Sequence, residues 1–257
     1  TSTTIIGQTA MEHLQPSSFT DLLALLPGGM TKIPSLGSAN VITLREAGSP
    51  SSQYATSSLG TKFIVDGQPI GTDANMQYIA GAFQGDADNS RNHISYGVDM
   101  REIPTDNIER VEVVRGIPSV KYGELTSGLI NITRKRSQTP LQIRLKADEY
   151  GKLISAGKGF LLAEKWNLNV DGGLLDAKKE PRNQFETYKR LTISARIQRK
   201  WKLGEHNILE WNGATDYALN VDNVKTDPEI QIHKEDRYRS SYLKIGMNNR
   251  IVYRRLL

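Results

Sequence analysis

The second half of the chain alternates apolar and polar side chains residue by residue, and this pattern limits the folds that it can adopt. From Leu141 onward, apolar residues occupy every second position of one run after another, as in Leu141–Ala147 and Tyr188–Trp201. A period of two places all the apolar side chains on one face of a β-strand. Short connections such as LLAEK and KLGEH join neighbouring runs. The pattern therefore predicts an antiparallel meander, with strands longer than the usual length of about five to six residues.

Long two-sided strands fit two architectures, which alternation alone does not separate. A soluble sandwich or barrel packs the apolar face inside, whereas a transmembrane barrel turns that face towards lipid and keeps the polar face in the lumen. The residues after Ser137 suffice for about six to eight strands, so the sheet is either a small barrel or the first part of a larger one. Aromatic residues near the strand ends favour a membrane barrel, because such rings collect at membrane interfaces; they are Trp166, Tyr188, Trp201, Trp211 and Tyr253.

The first half of the chain lacks this long alternation and predicts a mixed unit of short helices and strands. We expect a helix within Pro16–Gly29, because Ser18 can cap its start and Pro-Gly-Gly ends it. We expect strands at Asn40–Glu46 and Thr61–Ile70, and the second of these contains an Asp-Gly turn.

Two further strands, Val111–Val114 and Leu129–Thr133, are separated by a linker of turn residues. The segments 47–60 and 71–101 are polar, and loops of such length are uncommon in compact domains unless they carry a function. The turn positions on which this interpretation depends are Asp66, Gly67, Gly116, Gly123 and Gly128.

The residue inventory argues against enzymatic chemistry. The chain contains no cysteine and four scattered histidines, and it has neither a phosphate-binding loop, a dinucleotide-binding motif nor a nucleophile elbow. We therefore expect no catalytic residues, no metal site and no cofactor. The net charge of +5 is spread along the strands. It forms no basic module of the kind that binds nucleic acid.

Four segments, in order, resemble the amino-terminal part of TonB-dependent outer-membrane receptors. They are DLLALLPGG, VITLRE, FIVDGQPI and IERVEVVRGIPSVKYGELTSGLINITRK. The last resembles the family pattern in which Glu-x-x-Arg-Gly and Tyr-Gly lead into Gly-x-Ile-Asn-Ile. One departure is that Glu46 follows Arg45, where the family usually has glycine. The branch of the family is left open.

The resemblance implies a mixed α/β plug domain over residues 1–136, with a small mixed sheet and short helices. Residues 137–257 would then supply the first antiparallel strands of a transmembrane β-barrel. Plugged transporters of this kind have about 22 strands. We therefore expect the chain to contain only part of the barrel.

The resemblance also implies roles for individual residues. Arg45 and Arg115 occupy positions at which plug arginines hold carboxylates of the barrel wall in the family. Side chains of the two polar loops would face the substrate at the outer end of the plug. These candidate substrate contacts are Gln53, Tyr54, Asn75, Tyr78, Phe83, Arg91, His93 and Tyr96.

The expected function is energy-coupled import of a scarce solute across the outer membrane of a Gram-negative bacterium. Iron chelates, haem, cobalamin, glycans and peptides all remain open as substrates. The implied partners are the energy-coupling protein TonB, whose binding segment is not evident in this sequence, outer-membrane lipid, and a surface lipoprotein in some branches. The alternative is a soluble β-rich binding protein with a plug-like fold.

Overall fold

The chain folds into two β-sheets that pack against each other. The computed structural model describes residues 2–26, 36, 40, 42, 44, 61–70, 98–115, 128–163, 165–204, 207–226, 228 and 239–253. The first sheet, here called the small sheet, has five strands in the order β1-β4-β5-β2-β3. Its strands are β1 (Ser2–Gly7), β2 (Thr61–Val65), β3 (Gln68–Pro69), β4 (Ile108–Arg115) and β5 (Gly128–Arg134).

The small sheet is mixed, as the family resemblance implies. β2 and β5 run parallel, while β1–β4, β4–β5 and β2–β3 are antiparallel pairs. The sequence analysis did not predict β1, which forms the edge of the sheet beside β4. Of the predicted strand Asn40–Glu46, only residues 40, 42 and 44 are described, and they are not in a strand.

Short helices cover one face of the small sheet. The helix α1 spans Gln8–Leu14, and 3-10 helices span Phe19–Leu25 and Met100–Glu102. The predicted helix within Pro16–Gly29 is thus a short 3-10 helix, and its cap is a carboxylate: Asp21 accepts hydrogen bonds from the backbone N–H groups of Ser17 and Ser18 at 2.8 and 3.0 Å. No helix among the described residues is both long and apolar enough to span a bilayer.

The core of this unit lies between the helices and the small sheet. Ile130 and Ile132 of β5 are fully buried, and Phe19 packs edge-on against Phe63 with ring centroids 6.3 Å apart. Ile42 belongs to the same cluster. The central strand β5 thus supplies the apolar centre around which the unit packs.

Two predicted turn positions are described with their backbone angles. Asp66 and Gly67 have φ values of 56° and 81° and connect β2 to β3. Positive φ at both positions is typical of a tight hairpin turn, so the predicted Asp-Gly turn is confirmed. Gly128 is not in a turn but begins β5. A Cβ atom there would lie 2.6 Å from the carbonyl oxygen of Val114, which excludes larger residues.

The second sheet, here called the long-stranded sheet, is an antiparallel meander of six strands among the described residues. Neighbours in the sequence are neighbours in the sheet throughout. The strands are β6 (Thr139–Ala147), β7 (Gly151–Leu162), β8 (Trp166–Lys178), β9 (Glu186–Leu203), β10 (Asn207–Val224) and β11 (Arg239–Tyr253).

The connections give the two ends of this sheet different characters. At one end, here called the short-turn end, residues 163–165 and 204–206 join successive strands. The opposite end carries the short connection 148–150 and the two longer connections 179–185 and 225–238. In outer-membrane barrels the short turns are periplasmic and the longer loops are extracellular.

The two faces of the long-stranded sheet decide between the two predicted architectures. The polar side chains of β9 and β10 face the small sheet and are buried, among them Arg190, Arg196 and Asp222. The apolar side chains point away and are exposed, including Leu145, Ile193 and Ile245. A soluble sandwich would bury the apolar face instead. The observed arrangement is that of a membrane-barrel wall around a polar interior.

Candidate functional site

Among the described residues, buried charged and polar side chains are concentrated at the interface between the small sheet and the inner face of the long-stranded sheet. Both sides of this interface carry charged side chains, and most of them are buried. A buried charge is costly unless a partner of opposite charge and hydrogen bonds compensate it. The contacts at this interface therefore determine how firmly the amino-terminal unit is held.

Arg134, the last residue of β5, forms the centre of one ion-pair cluster. Its Nε donates to Asp66 Oδ2 at 2.6 Å, and its Nη1 contacts Asp216 Oδ1 of β10. Ser194 of β9 donates to the same Asp216 oxygen at 2.6 Å. One guanidinium thus joins a carboxylate of its own unit to a carboxylate of the opposite sheet.

Asp66 has a second role beside its place in the hairpin turn. Its Oδ1 accepts the backbone N–H of Arg134 at 3.0 Å, and Arg136 Nη2 lies 3.2 Å from the same oxygen. Burial by itself would raise the pKa of this carboxyl. The charges of Arg134 and Arg136 and the hydrogen bonds from Arg134 outweigh it, so the pKa of Asp66 lies below its ordinary value.

Arg101 forms the centre of a second ion-pair cluster with the same arrangement of one carboxylate from each sheet's unit. Its guanidinium contacts Asp99 of its own unit at 2.8 Å and Asp222 of β10 at 2.7 Å. Nη1 is shared by both oxygens of Asp222, the second at 2.9 Å, while the Asp99 contact is bidentate, because Nε donates to Oδ1 at 3.1 Å and Nη2 donates to Oδ2. The ring of Tyr188 lies 5.7 Å from the guanidinium carbon, and the Arg101 side chain is 1% exposed.

The opposite sheet also sends arginines towards the amino-terminal unit. Arg190 of β9 donates to the carbonyl oxygens of Arg101 and Ser17 at 3.1 and 3.0 Å. Arg144 of β6 pairs with Asp106 at 2.7 Å. Charged contacts therefore cross the interface in both directions.

A third group of contacts centres on Asp171 of β8. Asn107 donates to its Oδ2 at 2.9 Å, and Arg196 Nη2 lies 2.5 Å from its Oδ1. Arg196 also donates to the carbonyl oxygen of Lys135, just after β5. These contacts hold the segment at which the chain leaves the small sheet for β6.

Close packing supplements the ion pairs at the β2–β3 turn. Asn248 of β11 donates to the carbonyl oxygen of Asp66 at 3.4 Å. A Cβ atom at Gly246 would lie 2.6 Å from the side-chain Cδ of Gln68. The glycine thus leaves the space that Gln68 occupies, and β3 lies directly against β11.

A cavity of about 600 Å³ lies between α1 and the inner face of β6–β9. Several buried polar atoms that line it have no hydrogen-bond partner among the described residues: Asn107 Oδ1, Asn169 Nδ2, Arg144 Nε and Arg190 Nε. A polar cavity of this size holds water that can satisfy such atoms. The interface therefore combines buried ion-pair centres with a polar space that is large enough for water.

Glu102 is a buried carboxyl whose protonation matters near neutral pH. It accepts a hydrogen bond from Ser240 of β11 and is 8% exposed. Burial and the nearby charge of Asp99 raise the pKa of Glu102 to about 7, and the contacts with Ser240 and Arg101 offset only part of this rise. Glu102 therefore exchanges its proton in the physiological range.

We expect the stability of this interface to fall between about pH 4.5 and 7. In that range the folded protein binds more protons at Glu102 than the unfolded chain does, so the free energy of opening decreases by about 3 kcal/mol as pH rises. In Glu102→Gln this dependence should disappear. Hydrogen exchange of the amides in 98–103 at pH 5 and 7.5, corrected for intrinsic rates, measures it. The exposed Glu109→Gln is the control, and an unchanged pH dependence in Glu102→Gln would refute the assignment.

The predicted site residues fall into two groups. Arg45, Gly116 and Gly123 lie outside the described residues, and so do all eight candidate substrate contacts: Gln53, Tyr54, Asn75, Tyr78, Phe83, Arg91, His93 and Tyr96. Arg115 ends β4, opposite Ser2 and Gly128. Its role as a latch to the wall stays a prediction.

Sequence reasoning missed the residues that make the described contacts. Arg101 and Arg134 were not singled out, and Asp66 was interpreted only as a turn residue. One available signal was the polar face of β9 and β10. It carries both positively and negatively charged side chains, in strands whose other face is apolar. Opposite charges at Arg134 and Asp216 are 82 residues apart, and no local pattern connects them.

The described contacts of the interface are ion pairs and hydrogen bonds. Among the described residues, no cluster of three or more histidine and acidic side chains has the arrangement of a metal site. Ion pairs and hydrogen bonds can be exchanged for water when two surfaces separate. The arrangement thus suits two parts of one chain whose facing surfaces are held together by non-covalent contacts.

Comparison with known proteins gives a match for the first half of the chain. The family model described as TonB-dependent Receptor Plug Domain matches residues 1–129. A comparison with curated proteins gives no match.

Several solved receptors are similar in fold. A variant of the ferric enterobactin receptor PfeA from Pseudomonas aeruginosa is 17% identical with a TM-score of 0.55, over 95% of this chain and 38% of that one. FpvA from P. aeruginosa, bound to a heterologous pyoverdine, is 14% identical with a TM-score of 0.58, over 96% and 31%. The siderophore receptor PirA from Acinetobacter baumannii is 14% identical with a TM-score of 0.52, over 96% and 44%. The chain thus spans less than half the length of each.

Proposed function

Since the chain belongs to the TonB-dependent receptors, we propose that the full-length protein imports an iron chelate across the outer membrane by an energy-coupled movement of its plug. The protein is located in the outer membrane of a Gram-negative bacterium. We assign residues 1–136 to the plug and residues 137–257 to the first strands of the barrel wall, a boundary supported by the end of β5 at Arg134 and the start of β6 at Thr139. The similar receptors for enterobactin and pyoverdine support the choice of substrate class.

One observation carries this proposal: the plug is held to the wall by shared guanidinium groups. Arg101 and Arg134 each contact one carboxylate of the plug and one of β10. When the plug moves, each arginine keeps its partner within the plug and loses only the partner on the wall. Neither Arg101 nor Arg134 is then left as a bare buried charge, which lowers the cost of separation.

The edge strand β1 offers a route for the applied force. It pairs only with β4 in the described sheet, and β4 pairs with the central strand β5. Tension from TonB at the amino-terminal side would act on β1 first and reach Arg134 through β4 and β5. The plug would thus be loosened at the contacts that hold it to β10.

The predicted latches and substrate contacts complete the proposal. Arg115, together with Arg45, would pair with carboxylates of wall strands. The loop residues Gln53, Tyr54, Asn75, Tyr78, Phe83, Arg91, His93 and Tyr96 would contact the chelate at the outer end of the plug. A surface lipoprotein would show itself by purifying with the full-length receptor.

Uptake of radioactive iron by cells expressing the full-length protein tests this function. Ferric catecholate, hydroxamate and pyoverdine-type chelates are supplied to a strain that lacks its own receptors, with TonB present or deleted. We expect TonB-dependent accumulation of at least one chelate. Radiolabelled haem, cobalamin, a glycan and a peptide are supplied in parallel. Uptake of one of these compounds without uptake of any iron chelate would show that the substrate belongs to that other class. A protein found only in the soluble fraction would overturn the transporter function.

A further inference from the structure

A group of aromatic rings surrounds one arginine on the outer face of the wall. Trp166 of β8, Arg199 and Trp201 of β9, and Trp211 of β10 all point away from the plug. Arg199 lies opposite Trp166 on one side and opposite Trp211 on the other. All four residues are close to the turns 163–165 and 204–206, and therefore at the short-turn end of the wall.

The rings form a cage in which the arginine is fixed. The guanidinium carbon of Arg199 lies 4.9 Å from the ring centroid of Trp166 and 4.7 Å from that of Trp201. Trp166 packs edge-on against both other indoles, with centroids 5.9 and 5.6 Å apart. Stacking of this kind restrains a side chain that is otherwise flexible, so that less entropy is lost when it binds a ligand.

The cage has room because Gly213 lacks a side chain. A Cβ atom there would lie 3.1 Å from Cη2 of Trp211 and 3.1 Å from Cγ2 of Ile197. The indole of Trp211 therefore lies flat along β10 next to Arg199. The sequence of β10 thus favours the ring arrangement.

Arg199 carries a positive charge that no carboxylate neutralises within the described part of the chain. Its contacts there are the two indole rings, and its Nε has no hydrogen-bond partner. The nearest acidic neighbour along β10, Glu210, is on the inner face, where it contacts Gln198 and Lys200. A guanidinium has five N–H donors in a planar fork that fits phosphate oxygens, and the indole N–H groups are further donors.

The surroundings of the cage indicate a lipid rather than a soluble anion. Apolar side chains on the same face near this end are exposed, among them Leu162, Leu203 and Ile251. The short-turn end of an outer-membrane barrel is periplasmic, so the cage lies at the level of the inner-leaflet headgroups. A ligand there needs acyl chains for the apolar surface and an anionic group for Arg199.

We propose that Arg199, held between Trp166 and Trp201, binds the phosphodiester group of an anionic glycerophospholipid from the periplasmic leaflet. This site rests on the proposed function only in that β8–β10 form a lipid-facing wall. An arginine near a membrane surface contributes about 1 kcal/mol to the binding of an anionic lipid. The loss of Arg199 should therefore weaken retention of such a lipid about fivefold.

Native mass spectrometry of the full-length receptor released from nanodiscs tests the site. The nanodiscs contain phosphatidylglycerol in a phosphatidylcholine background, and the retained phosphatidylglycerol is counted for the native protein, Arg199→Gln and Trp201→Leu. The control is Lys189→Gln, which removes a 72% exposed positive charge from the outer face at the opposite end of β9. Retention should fall about fivefold in Arg199→Gln, fall less in Trp201→Leu, and stay unchanged in the control.

Two results would overturn the proposal. Equal retention by the native protein and Arg199→Gln would exclude the site, and an equal loss in Lys189→Gln would show general charge attraction only. A receptor that does not enter nanodiscs at all would instead contradict the membrane wall, and with it the proposed function. Failure of the lipid site alone leaves iron uptake unaffected.

Discussion

Replacing Arg134 with glutamine is expected to lower the free energy of opening the plug by about 3–5 kcal/mol. The substitution leaves Asp66 and Asp216 buried without the charge that now compensates both of them. Glutamine can donate hydrogen bonds to only part of this cluster and carries no charge. Hydrogen exchange of amides in β5 measures the opening free energy directly.

A matched control and a rescue variant separate this effect from the loss of any surface ion pair. Arg110 pairs with Glu112 at 3.4 Å on the same sheet, but its side chain is 49% exposed. Arg110→Gln should therefore cost less than about 1 kcal/mol. Adding Asp216→Asn to Arg134→Gln should recover part of the loss, because it removes a buried carboxylate that has lost its guanidinium partner, whereas Asp66 keeps Arg136.

The free energy of opening the plug in Arg134→Gln should change with pH in the opposite direction from that of the native protein. In the native protein the pKa of Asp66 is below its ordinary value, so its contribution to stability is present above the ordinary pKa and is lost as pH falls through the lowered one. Without the Arg134 guanidinium, we expect burial to outweigh the remaining contact with Arg136 and to raise the pKa of Asp66, so protonation at low pH should reduce the cost of burying this carboxyl. An Arg134→Gln effect of the size seen in Arg110→Gln would contradict the role of the cluster.

A disulfide between positions 68 and 246 is expected to reduce iron uptake by about tenfold or more, because it fixes the plug to β11. The side-chain Cδ of Gln68 would lie 2.6 Å from a Cβ at Gly246, and Cδ is two bonds from its own Cβ. These distances place the two Cβ atoms no more than about 5 Å apart, close to the upper end of the Cβ–Cβ separation that a disulfide spans. The chain has no cysteine of its own, so the introduced pair cannot form wrong bridges within it.

Uptake by Gln68→Cys/Gly246→Cys is measured after oxidation and again after reduction, and reduction should restore transport. The control pair is Thr215→Cys/Ile245→Cys, which are opposite each other in β10 and β11. That bridge links two strands of the wall and should leave uptake unchanged. Full transport with a complete 68–246 bridge would show that the β3 edge of the plug stays in place during import.

Much of the fold was predictable because it depends on local patterns. The period of two in β6–β11 predicts strands with two unlike faces, and the meander follows from the short turns between them. The Asp66-Gly67 turn was predictable because few residues accept positive φ at both central positions. The strand β1 was missed because Ser2–Gly7 is an edge strand with no clear alternation, and its pairing with β4 spans about a hundred residues.

The contacts of the site were not predictable in the same way. Arg101 and Asp222 are 121 residues apart and meet only because the plug is packed against β10 in one position. The resemblance pointed instead to Arg45 and Arg115, since it could name only positions that the family motif contains. The pairing of each arginine with its carboxylate depends on strand register and on the placement of one sheet against another. Local periodicity predicts neither of these.

The sequence by itself determined the strands of the long-stranded sheet, the Asp-Gly turn and the family, because backbone preference and side-chain periodicity act over a few residues. It also determined that the wall has one polar and one apolar face. Only the tertiary structure decided that the polar face lies inward, because that choice depends on what lies on each side of the sheet. Arg101 and Arg134 hold the interface for the same reason, since a charge is stable in a buried site only where the fold brings opposite charges to it.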